Sequence, residues 1–191
     1  MGTILMNEWI ALWEGDWYRT LKTNNFNAVD QFLKTPPKHI LDIGCGYAFE
    51  SEMFQKKYQT ELYLLDSTID NTIDIQRQTN YGPADQFSFY NTVNTLTESY
   101  DQRKMNYTFI DSNNINLDNT LKFDVIYSFL SCGFHYPANT YKNFILGHST
   151  KDSVIILDLR KKQLSDQLKD ISIIEVVYES EKHITAQIQF L

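Results

Sequence analysis

One stretch constrains the chain more than any other: His39-Ile40-Leu41-Asp42-Ile43-Gly44-Cys45-Gly46-Tyr47-Ala48-Phe49-Glu50. Aliphatic residues interrupted by a single acid predict a buried strand. The strand stops at two glycines two apart, which permit a tight turn and a close approach of a ligand to the backbone. The residues that follow read as a helix, and its first amides, with the turn, suit a polar or anionic ligand group. A strand that enters a helix through such a turn is the opening of an α/β sheet. Pro36-Pro37, just upstream, end any preceding helix and send the chain into the strand.

The rest of the chain fits that opening. Residues 61–66 form a second strand that closes on Asp66, and parallel βαβ geometry puts this acid beside the glycine turn. Further strands are predicted over 107–111, ending on Asp111, over 123–130 and over 153–160. Helices are predicted over 48–58, 92–103, 141–146 and 162–168. Two alternating strands, 171–178 and 184–190, are joined by a link short enough to require an antiparallel hairpin. Ahead of the core, residues 5–21 and 25–33 read as two helices, with Trp9, Trp13 and Trp17 on one face of the first. The expected fold is a Rossmann-like α/β domain. It has a seven-stranded, mostly parallel sheet, an antiparallel C-terminal hairpin strand and helices on both faces. A single domain is expected, with residues 1–37 as an N-terminal helical cap and 38–191 as the cofactor-binding core. Residues 67–106 are longer than a plain strand–helix–strand link needs and carry something particular to this protein.

Composition narrows the function. A net charge of −7 over 191 residues argues against a general nucleic-acid binder, since affinity for phosphate backbones comes largely from Lys and Arg. Cys45 and Cys132 are far apart and suggest no disulfide framework. The first residues carry Glu8, Glu14 and Asp16 and no basic leader, and no apolar run approaches the roughly 20 residues of a membrane helix. A cytoplasmic protein without a membrane partner is expected. His39, His135, His148 and His183 are scattered without metal-ligand spacing, so no metal is expected.

With these residues in view, the chain resembles the class I S-adenosylmethionine-dependent methyltransferases over residues 38–191. The family's first motif is an acid followed by alternating glycines. Here it stands as Asp42-Ile43-Gly44-Cys45-Gly46-Tyr47-Ala48, with Ala48 in place of a third glycine. A dehydrogenase-type turn would want a glycine where Phe49 stands. The resemblance implies S-adenosyl-L-methionine as cofactor. It implies that Asp42 helps place the methionine part, that Asp66 accepts from both ribose hydroxyls, and that Asp111 with Ser112 lies at the adenine. The full implied cofactor set is Asp42, Gly44, Cys45, Gly46, Asp66, Ser67, Asp111, Ser112 and Ser128.

The acceptor side is expected after the fourth strand, over 128–136, because ligands of open α/β sheets bind outside the carboxyl ends of the strands. His135 is the histidine of that stretch. Near its ordinary pKa of about 6.5 it suits removal of a hydroxyl proton, and a loop hydrogen bond is the alternative. Phe134 and Tyr136 stack on a substrate ring or pack, and Trp17 and Tyr18 cover the pocket mouth or pack on the core. A Cys132–His135 nucleophile pair lacks an orienting third group. Asp124 stands too early in its strand for a magnesium ligand. The expected function is methylation of a small-molecule acceptor, such as an oxygen of a sugar or metabolite. Two other readings compete. One is a non-catalytic cofactor-binding module whose Trp9/Trp13/Trp17 face is an interface, with a homodimer as a candidate assembly. The other is a nucleic-acid-directed methyltransferase using Arg160, Lys161 and Lys162.

Overall fold

The computed structural model describes residues 16–66 and 93–191. Seven strands form one sheet: β1 (His39–Ile43), β2 (Glu61–Asp66), β3 (Tyr107–Asp111), β4 (Val125–Ser128), β5 (Val154–Arg160), β6 (Ile171–Glu179) and β7 (His183–Phe190). The helices are α1 (Asp16–Asp30), α2 (Phe49–Tyr58), α3 (Val93–Gln102), α4 (Lys142–His148) and the single turn α5 (Leu164–Gln167), with short 3₁₀ turns at Ala138–Tyr141 and Lys161–Gln163. The strand order is β3-β2-β1-β4-β5-β7-β6. The pairs from β3 to β5 are parallel, and β7 runs antiparallel to both β5 and β6. The order reverses between β1 and β4, so their carboxyl ends flank the switch point at which ligands of such sheets bind.

Alternation along the strands builds a core on each face. Ile40, Leu62, Leu64, Val125, Tyr127 and Ile156 pack with Phe26 and Val29 of α1, Phe54 of α2, and Leu96 and Tyr100 of α3. Leu41, Ile43, Leu65, Ile126 and Leu157 pack on the other face with Ile145 of α4, Cys132 and Ala138. Helices therefore cover both faces, as the near-continuous apolar strands require. The hairpin at the far edge is less regular. β6 shifts register against β7 between Ile173 and Glu175 and again between Val176 and Tyr178. Ile174, Val176 and Tyr178 stand exposed along it.

Three boundaries differ from the sequence expectation. Residues 5–15 lie outside the described residues; from Asp16 on, the helices expected over 5–21 and 25–33 are one helix, α1, which runs unbroken through Thr23-Asn24-Asn25 and ends at Asp30. The polar residues that suggested a gap are satisfied within the fold. The Thr20 and Thr23 hydroxyls donate to the Asp16 and Arg19 carbonyls, each at 2.8 Å, and the Asn25 amide donates to Glu50 Oε1 at 2.8 Å. The fourth strand is shorter than 123–130. Asp124, ahead of it, accepts the Lys38 and His39 amides at 2.6 and 3.1 Å and ties the entrance of β1 to that of β4. Beyond it, Leu130 turns left-handed at φ 53°. Helix α2 starts at Phe49, because Ala48 is itself left-handed at φ 52°. Trp9, Trp13, Ser67 and most of the 67–106 stretch lie outside the described residues, and for Trp17 only the backbone, within α1, is described.

Candidate active site

The glycine turn is held from three directions. The Gly44 and Cys45 amides both donate to the Leu65 carbonyl, at 2.7 and 3.2 Å, locking the turn to the end of β2. The Gly46 amide donates to Asp66 Oδ2 at 2.7 Å. From α3, the Tyr100 hydroxyl donates to the Gly46 carbonyl and the Arg103 guanidinium to the Tyr47 carbonyl. Arg103 also pairs with Glu52 at 2.8 Å and lies over the Phe49 ring at 4.8 Å. Tyr100 and Arg103 were not singled out in the sequence. Tyr100 is fully buried in an amphipathic helix, and nothing in its spacing separates it from an ordinary core residue.

The two glycines of the turn do different jobs. A Cβ on Gly44 would meet Ser131 Oγ at 1.8 Å and the Tyr136 hydroxyl oxygen at 3.5 Å. That space is filled by the chain's own 131–136 loop. A Cβ on Gly46 would meet nothing within 4 Å among the described residues, so none of them covers the backbone there. Beside it, Asp66 is half-buried at the carboxyl end of β2 and stands opposite Asp111 in the parallel register. Asp111 accepts from the Asn113 amide and side chain at 2.9 and 3.1 Å, and the Ser112 amide donates to the Asp66 carbonyl at 2.9 Å. Gly46, Asp66, Asp111 and Ser112 are thus brought together along one edge.

Behind the turn lies a buried polar cluster. Asp42, 4% exposed, accepts the Ser51 hydroxyl at 2.8 Å, and Ser51 shares a 2.6 Å hydrogen bond with the Tyr127 hydroxyl. Burial, with the Glu50 carboxylate second, pushes the Asp42 carboxyl up to about 7. Glu50 is held by Lys22 of α1 at 2.7 Å, and the Lys22 ammonium also sits 4.9 Å over the Tyr18 ring. Tyr18, buried and edge-on to Phe49 at 5.8 Å, anchors α1 against the start of α2. Burial raises its phenol to about 12. The Cys45 thiol is also buried and raised by burial, which keeps it protonated.

The residues expected on the acceptor side cluster after β4. Ser128 is fully buried, donating to the Ile43 carbonyl at 2.7 Å and accepting the Cys132 amide at 2.8 Å. Its hydroxyl shapes the site from beneath. Ser131 and Tyr136 share a hydroxyl–hydroxyl hydrogen bond beside Gly44. Gly133, at φ +93°, donates its amide to the Tyr136 carbonyl, and its own carbonyl accepts the Arg160 amide and the Gln167 side chain. Asp158, buried in β5, accepts the Leu130 amide at 2.9 Å and the Thr185 hydroxyl at 2.5 Å. Phe134 is the hub of a ring cluster, with His135 and His183 edge-on at 5.0 and 5.6 Å and the Arg160 guanidinium over it at 4.9 Å. His135 does not keep its ordinary pKa of about 6.5. Burial first, and the Arg160 charge second, lower it to about 4, and its Nδ1 is buried without a hydrogen-bond partner among the described residues. Among the described residues, no group of three or more His, Cys, Asp or Glu is placed to hold a metal ion.

No protein-family model and no curated sequence matches the chain. Solved structures do. A ribosomal protein L11 methylase from Lactobacillus delbrueckii subsp. bulgaricus superposes with a TM-score of 0.61 at 11% identity, over 91% of this chain and 79% of its own. A methyltransferase from Pyrococcus furiosus gives 0.57 at 15% identity, over 88% and 82%. The plantazolicin methyltransferase BpumL, solved in complex with a monoazolic desmethylPZN analog and SAH, gives 0.52 at 18% identity, over 87% of this chain and 56% of its own. Their shared architecture and the switch-point geometry above agree: the chain has the class I methyltransferase fold.

Proposed function

We propose that the chain is an S-adenosylmethionine-dependent methyltransferase of a small-molecule acceptor. The observation that carries this reading is the edge formed by Gly46 and Asp66: a stretch of backbone at the switch point that no described residue covers, beside a carboxylate whose hydrogen bond to the turn fixes its position. A carboxylate there has lone pairs to accept from a pair of vicinal hydroxyls, and the residues present fit a nucleoside cofactor. Asp111 and Ser112 bound the adenine end and Asp42 the methionine end. When bound, the cofactor supplies an activated methyl group on a sulfonium. The protein then has mainly to align it with the acceptor, an effect that can supply on the order of 7–11 kcal/mol.

The chain's own contribution on the acceptor side rests with His135. Its buried, unpartnered Nδ1 accepts a hydrogen bond from an acceptor hydroxyl brought into the cluster, and a pKa lowered to about 4 keeps the ring neutral and able to accept. Phe134 and Tyr136 supply ring faces to the acceptor. Cys45 and the buried Tyr18 and Ser128 support the two sites through packing, and the roles expected of Trp17 and Ser67 stay part of the proposal. An acceptor carried on a nucleic acid is disfavoured by the net charge of −7.

Calorimetry with S-adenosylhomocysteine tests the reading. Micromolar binding is expected, weakened at least tenfold by Asp66→Ala. Absence of binding at millimolar concentration, or an Asp66→Ala variant that binds like the parent, would overturn it.

A further inference from the structure

Among the described residues, two buried nitrogens after β4 and β5 have no hydrogen-bond partner: His135 Nδ1 and Arg160 Nη1. They belong to one cluster, because the Arg160 guanidinium lies over the Phe134 ring at 4.9 Å and the His135 ring stands edge-on to the same Phe134 at 5.0 Å. Arg160 is the last residue of β5, at the carboxyl edge where ligands of such sheets bind. Its backbone is committed, its amide donating to the Gly133 carbonyl at 3.0 Å. Its charge is not. Among the described residues, no carboxylate lies within ion-pair distance of the guanidinium.

The neighbouring groups are engaged elsewhere. Asp158, two residues back on β5, faces Thr185, the Leu130 amide and His183, whose Nε2 lies 3.8 Å away. His183, opposite Arg160 in the β5–β7 register, meets the Ser180 hydroxyl at Nδ1. Lys161 pairs with Glu179 at 2.6 Å. A half-buried guanidinium with one nitrogen buried and unpartnered, stacked on an aromatic face and without a counter-ion among the described residues, is held ready for one. The fork geometry of arginine matches carboxylate and phosphate oxygens in particular.

We propose that Arg160 is the acceptor-recognition residue, binding a carboxylate or phosphate group of the substrate over the Phe134 ring and beside His135. The methyl acceptor is then an anionic small molecule. The inference rests on the methyltransferase reading only in making that anion part of the acceptor. It carries a consequence for His135. An anion on Arg160 offsets only the Arg160 charge, the lesser cause of the lowered imidazole after burial, so binding raises the ring's basicity in part.

NMR of the full chain tests this with inorganic phosphate and benzoate as probes. The signals followed are the His135 ring nitrogens and the Arg160 Nε–H. Saturable shifts at both, with a millimolar dissociation constant, are expected for at least one probe, and the tighter probe tells phosphate from carboxylate acceptors. Arg160→Lys, which keeps a point charge, weakens the response, and Arg160→Met weakens it at least tenfold. Absence of a saturable shift at tens of millimolar of either probe would overturn the proposal, as would an unchanged His135 response in Arg160→Met. S-adenosylhomocysteine binding measured on the same samples reports that the variants are folded and separates the two readings. An anion response without cofactor binding overturns the methyltransferase assignment alone. Cofactor binding without an anion response overturns the role of Arg160 alone.

Discussion

The two ends of the site are finished to different degrees. At the glycine turn, the Gly44, Cys45 and Gly46 amides and the Gly46 and Tyr47 carbonyls all have partners within the chain. At the Phe134 cluster, two buried side-chain nitrogens have none among the described residues. The charges differ in sign as well. Asp42 and Glu50 crowd negative charge behind the turn, with Lys22 as their cation, while Arg160 leaves positive charge in excess beside His135. A prebuilt backbone cradle suits a ligand that never changes. Uncommitted side chains suit a partner that must be recognised.

The comparison breaks most visibly at the glycines. Gly133, on the acceptor side, is left-handed, and a Cβ there would meet the Asp158 carbonyl oxygen at 2.6 Å. Gly133→Ala is expected to cost roughly 3 kcal/mol in urea denaturation, adding a left-handed penalty of about 1–2 kcal/mol to overpacking of about 1–3 kcal/mol. Gly46→Ala meets no such wall. It costs only the backbone penalty, about 1–2 kcal/mol, yet is expected to weaken S-adenosylhomocysteine binding at least tenfold by filling the open approach.

Burial raises the buried acid and lowers the buried base, with the like charge beside each adding to it, so the two ends predict opposite pH dependences of stability. The folded chain keeps the Asp42 proton up to about pH 7, whereas the unfolded chain releases it near 3.8. The folded state binds more protons in that window, so this group makes stability fall as pH rises through it. His135 does the reverse. Its folded pKa is about 4 against 6.5 unfolded, so it makes stability rise as pH climbs from 4 to 6.5. Thermal melts should show Asp42→Asn steepening the rise with pH and His135→Asn exposing the fall. Parallel profiles for the two variants would contradict the comparison.

Smaller effects sharpen it. Tyr100→Phe removes one hydrogen bond from the Gly46 carbonyl and is expected to cost about 1 kcal/mol, read by chemical denaturation. Ala48→Gly relieves a left-handed backbone but deletes a buried methyl worth about 0.8 kcal/mol. A net change under about 1 kcal/mol is expected in the same assay.

The sheet was legible in the sequence because its strands are apolar, short and closed by acids or breakers, and the nearness of Asp66 to the glycine turn followed from the parallel βαβ geometry, whereas the strand order that makes the switch point came only with the structure. The single helix α1 was not legible. Its Thr-Asn-Asn stretch has poor helix propensity, and the compensation comes from Glu50, 25 residues away. The turn's own glycines and Asp66 could be named from spacing alone. Tyr100 and Arg103 could not, since they reach the turn from 54 and 56 residues on. The depressed His135 was equally invisible, because it depends on burial and on Arg160, which only the β4 and β5 ends bring together.

Gly44 has a consequence beyond the turn it belongs to. Its missing side chain leaves room for Ser131 and Tyr136, so the loop that carries Phe134 and His135 rests directly on the turn. Any side chain at position 44 would part the two, so the smallest residue in the site is the seam on which turn and loop are joined.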